Sequence, residues 1–339
     1  MRVIRSYITL LALVLPFAAM AQQDAIPLDR FYVDRQGVSP FRKILSRINW
    51  GLSLGYGRTY FSHELPGFGV YQGANLPPQI FQAAAVPGTR YSNWVTQSQT
   101  NADPLAPSPF LVSSDDPPLG FRARAINIPL KATLHVEFLK RFRVGAGYSL
   151  ELMNVGAFSP ISFTDQIGSF TLANRSGMMS KYFILAGGSF YRFQDYLFTA
   201  DVQFGGYNPG KNFDKAQIDR SLFFNLGVTV ERDLSEYFRV FARPSFEVKN
   251  YGLSLPETGL SLKHNLNAFY LNFGVTYRIP ELPRCFHRDC QAQINHAHGN
   301  REYRSRMHPF WKKQNPGYGE NNPNLIKYKG KNKRKINPY

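Results

Sequence analysis

Between Ala125 and Asn154 apolar and polar residues alternate almost without a break. Ile126, Ile128, Leu130, Ala132, Leu134, Val136 and Phe138 carry one phase, and Asn127, Lys131, Thr133, His135 and Glu137 the other. A period of two marks a strand with one apolar and one wetted face. Lys140 and Arg141 sit at a tight reversal. Phe142, Val144, Ala146, Tyr148, Leu150 and Leu152 then resume the apolar phase against Arg143, Gly145, Gly147, Ser149 and Glu151. Each run is longer than the roughly 9–11 residues with which a tilted strand crosses a bilayer. The stretch predicts a membrane hairpin, and the rest of the chain reads as further copies of it or attachments to it.

The copies can be followed along the chain. Ile48, Trp50, Leu52, Leu54 and Tyr56 alternate with Asn49, Gly51, Ser53, Gly55 and Gly57, whose small size predicts a crowded interior. After the hairpin, the apolar phase returns at Tyr182–Phe190, Tyr196–Phe204, Leu222–Val230, Phe238–Val248 and Phe269–Ile279. Pro244 lacks a backbone donor, so a bulge or broken bond is expected there. Long connections near 62–122, 154–180, 205–220 and 250–267 alternate with short turns, and the Pro-rich first one should hold no regular ladder. The expectation is an all-β fold: an eight-stranded antiparallel transmembrane β-barrel over 47–280, with long loops extracellular, short turns periplasmic and both chain ends periplasmic. Aromatic residues make up 15% of the chain, which suits the girdles of such a barrel.

No apolar run reaches the roughly 18 residues of a membrane helix. Residues 1–21 read as a signal peptide: Arg2 and Arg5, an apolar stretch Ile8–Ala18, then Ala19-Met20-Ala21 before Gln22. No Cys follows that site, which argues against a lipoprotein. Export makes nucleic acid an implausible partner despite a net charge of +17. Residues 22–46 form a polar entry segment, with Ser39 as cap and Pro40 as first residue of a short helix.

Asn272, Gly274, Tyr277 and Ile279 occupy the polar, glycine, aromatic and apolar positions of a pattern that resembles the assembly signal of outer-membrane barrels. Ala21-Gln22-Gln23 resembles the signal-peptide end of exported Bacteroidota proteins. The resemblance is to a class, a small Bacteroidota-type outer-membrane barrel with a C-terminal extension. It implies the outer membrane of a Gram-negative cell, contact with its lipid, and the barrel assembly machinery during biogenesis. Such barrels occur among accessories of type IX secretion and gliding.

An eight-stranded barrel is just wide enough for side chains to fill it. Lys131, His135, Glu137, Arg143, Glu151, Asp201, Gln203, Glu231, Arg239, Arg243 and Glu247 fall on the inward phase and should pair as a charged plug. A narrow pore is the alternative. The paired carboxylates Glu137 and Glu151 are a weak acid–base signal. No catalytic set is expected. The alternative is a lipid-modifying enzyme, a lipid-A or phospholipid deacylase, using His63 with Ser62 and Glu64 at the outer rim.

Residues 281–339 form a basic, largely irregular tail, with thirteen Lys and Arg against four Asp and Glu. Arg301, Arg304, Arg306, Trp311, Lys329, Lys331, Lys333, Arg334 and Lys335 are its candidate partner-binding residues. They suit an anionic periplasmic partner, either peptidoglycan or a protein complex. Cys285 and Cys290 most simply form a disulfide in an oxidising compartment. A metal site of Cys285, Cys290, His296 and His298 is the alternative, with His287 a further candidate ligand. No cofactor is expected. The function read from the sequence is a barrel anchor or scaffold whose tail docks an envelope partner.

Overall fold

The computed structural model describes residues 38–306, apart from 73–76, 86–88, 102–116, 140, 194–195, 221, 257, 291 and 293. The expected signal peptide, Trp311 and Lys329–Lys335 lie outside the described residues, as does Lys140. The chain divides into two compact units, 46–279 and a second one built from residues on either side of it.

The larger unit is a ring of eight long antiparallel strands: β1 (Ile48–Leu65), β2 (Leu119–Phe138), β3 (Phe142–Val155), β4 (Ser176–Phe193), β5 (Tyr196–Asn208), β6 (Phe223–Asp233), β7 (Phe238–Val248) and β8 (Ser261–Arg278). Neighbours in sequence pair, and β8 returns to β1 from Asn49 opposite Arg278 to His63 opposite His264. The chain enters at Ile48 and leaves at Arg278, at the end where β2–β3, β4–β5 and β6–β7 make their short turns. Pro244 behaves as expected. The β6–β7 ladder pairs Gly227 with Ser245 and resumes at Val230 with Ala242, skipping the proline. The β1–β2 ladder makes the same skip at Pro129.

The polarity of the strands inverts part-way along them. From Ile126 to Phe138 the apolar phase of β2 points outward, with Ile126, Ile128 and Leu130 nearly half exposed, while Asn127, Lys131 and His135 are buried. Before Ile126 the order reverses: Phe121, Ala123 and Ala125 are buried, and Arg122 and Arg124 are exposed. Strand β8 inverts at the same level, with Leu262, Leu266 and Ala268 buried but Phe269, Leu271 and Phe273 exposed beyond them. One length of the ring is therefore apolar outside and charged inside, and the next is apolar inside. Trp50, Phe138, Phe142, Phe193, Tyr196 and Tyr277 lie exposed near the short-turn end.

The long connections are more ordered than their composition suggests. Strands β1 and β2 run on to Leu65 and back to Leu119, inside the segment expected to hold no ladder. Between them a four-stranded sheet forms from Phe68–Tyr71, Gln79–Gln82, Arg90–Ser92 and Gln99–Asn101. The ladder also persists through 250–267, where Asn250–Ser254 pairs with the start of β8 and Ile218–Arg220 pairs with Asn250–Ser254 in turn. These pieces pack into an apolar core at the loop end of the ring, around Trp94, Tyr91, Phe121, Phe158 and Tyr251. Trp94 Nε1 donates to the carbonyl of Pro78 at 3.0 Å, and Tyr251 donates to that of Val95 at 2.6 Å. The prolines punctuate this cap without unfolding it.

In the smaller unit, Pro40–Leu45 forms a short helix whose Lys43 N–H reaches the carbonyl of Ser39, as the capping residues predict. Arg42 Nε donates to the carbonyl of Glu281 at 2.9 Å. His296–His298 and Arg301–Tyr303 form a hairpin around Gly299, whose φ of 60° suits glycine.

Candidate functional site

The inward phase of the ring carries two groups of paired charges. Nearer the short turns, Arg143 donates to Asp201 at 2.6 Å and also pairs with Glu231. Arg243 holds Asp201 at 2.6 Å and Asn225 at 2.7 Å. Arg239 joins Glu137, Glu231 and Asp233 at 2.6, 2.9 and 2.8 Å. His135 Nε2 lies 3.7 Å from Glu137. Nearer the cap, Lys181 bridges Glu151 at 2.6 Å and Glu247 at 2.5 Å, and Lys249 adds a contact to Glu247 at 2.9 Å. Tyr270 donates to Glu151 at 2.7 Å and sits beneath the Lys131 ammonium.

Of the expected lumen residues, all but the half-buried Glu137 are buried, and Glu137, Arg143, Glu151, Asp201, Glu231, Arg239, Arg243 and Glu247 take part in ion pairs. Glu137 and Glu151 do not act as a pair, because each belongs to a different group of charges. Lys181, Lys249, Tyr270, Asn225 and Asp233 complete the network. Of these, Lys181 falls on the inward phase of a strand that begins at Ser176, earlier than its apolar residues suggest. A cavity of about 40 Å³ remains beside Lys131, Arg143 and Arg243, room for a few waters. The interior glycines are needed for this crowding: a Cβ on Gly57 would lie 2.3 Å from the Tyr270 ring.

The rim set His63, Ser62 and Glu64 is not brought together. His63 is buried in the cap between Trp94 and Phe158, with its Nδ1 3.1 Å from that of His264. Ser62 and Glu64, one residue to either side, take the opposite phase of β1. A strand cannot aim adjacent side chains at one substrate.

In the smaller unit Cys285, Cys290, His296 and His298 converge, their ligand atoms all within 4.8 Å of one another. Both cysteines are free, which corrects the disulfide expected from their spacing. Each thiol faces an imidazole: Cys285 Sγ lies 3.3 Å from His298 Nε2, and Cys290 Sγ lies 3.1 Å from His296 Nε2. Nδ1 of His296 reaches the carbonyl of Ile294 at 2.9 Å. Burial pushes the Cys285 thiol above its ordinary value, and burial together with His287 and His296 holds the His298 imidazole below its own. Of the expected partner-binding residues described here, Arg301 is exposed and Arg306 half-buried, whereas Arg304 is buried with its N–H on the carbonyl of Pro283.

No family model matches the chain, and no curated protein does. Among solved structures it is similar to the outer-membrane protease OmpT of Escherichia coli, at 15% identity and a TM-score of 0.31 over 69% of this chain and 97% of that one. It is also similar to the outer-membrane protein AlkL, at 13% identity and a TM-score of 0.36, over 69% and 92% of the two chains. The Ralstonia pickettii toluene transporter TbuX is a third, at 10% identity and a TM-score of 0.18 over 68% and 90%. At these values the likeness decides nothing about this chain.

Proposed function

We propose that the protein is an outer-membrane β-barrel that serves as a non-catalytic anchor, with its basic C-terminal tail docking an anionic periplasmic partner. Membrane placement is supported by the outward apolar belt from Ile126 to Phe138 and its counterparts around the ring, a surface water would not tolerate at this extent. The observation that carries the anchor reading is the filled lumen. Ion pairs drawn from six of the eight strands fill the interior among the described residues, which supports an anchor over a solute path.

The working surfaces are then the ends of the barrel. Entry at Ile48 and exit at Arg278 beside the short turns supports a periplasmic position for both termini. The tail brings thirteen cations against four acids to that compartment, which suits peptidoglycan carboxylates or an acidic protein complex, such as a secretion or gliding accessory. Bacteroidota are the expected source.

The test is a crosslinked pull-down from the native envelope of the full chain beside one ending at Glu281. A partner lost on truncation supports the docking tail and names the system it serves. Identical partners from both would end the reading.

A further inference from the structure

We propose that Cys285, Cys290, His296 and His298 bind one Zn²⁺ ion, and that this ion is the structural staple of the tail's folded segment. The inference stands whether or not the tail docks a partner.

The first argument is geometric. A tetrahedral zinc with Zn–S near 2.3 Å and Zn–N near 2.0–2.1 Å sets its sulfur and nitrogen ligands about 3.3–3.8 Å apart. The two thiol–imidazole separations, 3.3 and 3.1 Å, lie at and just below the short end of that range, so these edges open by a few tenths of an ångström when the ion enters. With all four atoms inside 4.8 Å, the longest edge closes by about 1 Å when the ion enters.

The second argument is how each ligand is held. His296 and His298 are two apart on one strand, so both rings leave the same face. Gly299 turns the chain back so that Arg301–Tyr303 lies beside that strand. Arg304, next along, accepts the Cys285 N–H at 3.0 Å and donates to Pro283 at 2.9 Å, which fixes Cys285 across from the histidine pair. The Ile294 carbonyl accepts from Nδ1 of His296, leaving the Nε2 lone pair aimed at the cluster. A carbonyl on the far nitrogen is the support a ligating histidine usually has.

The third argument is stability. Among the described residues of 281–306, only Cys285, Arg304 and Ser305 are fully buried, and the hairpin has three residue pairs. An isolated hairpin of this size is marginal in water. Segments too small to bury an apolar core are held by disulfides or metal, and here the cysteines are free. Four protein ligands leave no open coordination position, so the site is structural. Two thiolates with two imidazoles favour zinc over the oxygen-seeking cations. The thiols release two protons as the ion binds, so the net charge of the tail is unchanged.

The test uses the full-length protein extracted from membranes in detergent, with Zn²⁺ alone as the added ligand after reduction and chelation. The expected result is one zinc per chain by elemental analysis. Cobalt in its place should give the visible bands of a tetrahedral site and thiolate charge transfer. Trypsin should cut within 281–306 after chelation and cease to do so when zinc is restored. Cys285→Ser with Cys290→Ser, or His296→Ala with His298→Ala, should abolish the zinc and the protection, while His287→Ala keeps both. The proposal is overturned if the reduced protein takes up no zinc, or if zinc persists when all four ligands are replaced. It is overturned equally if envelope-extracted protein holds an intramolecular disulfide and no metal. Loss of zinc only in His287→Ala would refute the ligand set.

Discussion

His63 and His264 face each other across the seam where β8 closes on β1, their Nδ1 atoms 3.1 Å apart. They are register partners from opposite ends of the ring, sealed in by Trp94, Phe158 and Tyr251. One Nδ1 must donate and the other accept, so at least one of the two rings is neutral with its proton on Nε2. The pair's place in the cap core makes it a closure device. His63→Ala should cost about 2–4 kcal/mol through the cavity it leaves and the unpaired His264. Unfolding in urea with lipid present would measure it, and lipid-A and phospholipid profiles should match the wild type by mass spectrometry. A lipid species that depends on His63 would revive the deacylase.

Lys181 is the ion-pair partner of Glu151 and shares Glu247 with Lys249. Lys181→Met should therefore destabilise by about 3–5 kcal/mol, since it leaves buried charge without a partner. Adding Glu151→Gln alone should recover much of the loss, because the stranded charge is the Glu151 carboxylate while Glu247 keeps Lys249. Heat-modifiability on semi-native gels would rank the three proteins.

Gly57 and Gly259 make a matched contrast. A Cβ at Gly57 would meet the Tyr270 ring at 2.3 Å, whereas Gly259 has open space but a φ of 66°. Gly57→Ala should displace Tyr270 from Glu151 and cost about 1–3 kcal/mol by overpacking. Changes in the Tyr270 environment, followed by ultraviolet resonance Raman, would separate it from Gly259→Ala, whose strain is confined to its own backbone.

The filled lumen predicts no stepwise conductance when the protein is inserted into planar bilayers at neutral pH. Sustained single-channel steps from the purified wild type would remove the plug and favour the pore.

The eight strands and their inward charges were legible because a ring wall imposes a period of two, and every residue of the wall must obey it. Arg143, Asp201 and Arg243 could be assigned to the interior before any of them had a partner. The apolar cap was not legible. Beyond Ala125 and Ala268 the same strands continue with their polarity reversed, so the alternation reads as an ending when only the surroundings change. Proline at positions such as 66, 77, 78 and 87 reinforced that reading, although the short strands between them pair well.

The tail shows the same division at smaller scale. Cys285 and Cys290 stand close enough in sequence for a disulfide, and the spacing favours that over a metal site, since it matches no strong zinc pattern. Which one the chain takes depends on where the His296–His298 strand lies, and that is set by a turn at Gly299 and a bridge to Arg304. Sequence alone determined the faces of each strand, because alternation is local and each residue carries its own preference for water or apolar surroundings. Tertiary structure decided which faces meet: the pairing of His63 with His264, the sharing of Glu247 by Lys181 and Lys249, and the gathering of two thiols with two imidazoles. Those contacts join residues far apart in the chain, and only closure of the ring and the hairpin brings them within bonding distance.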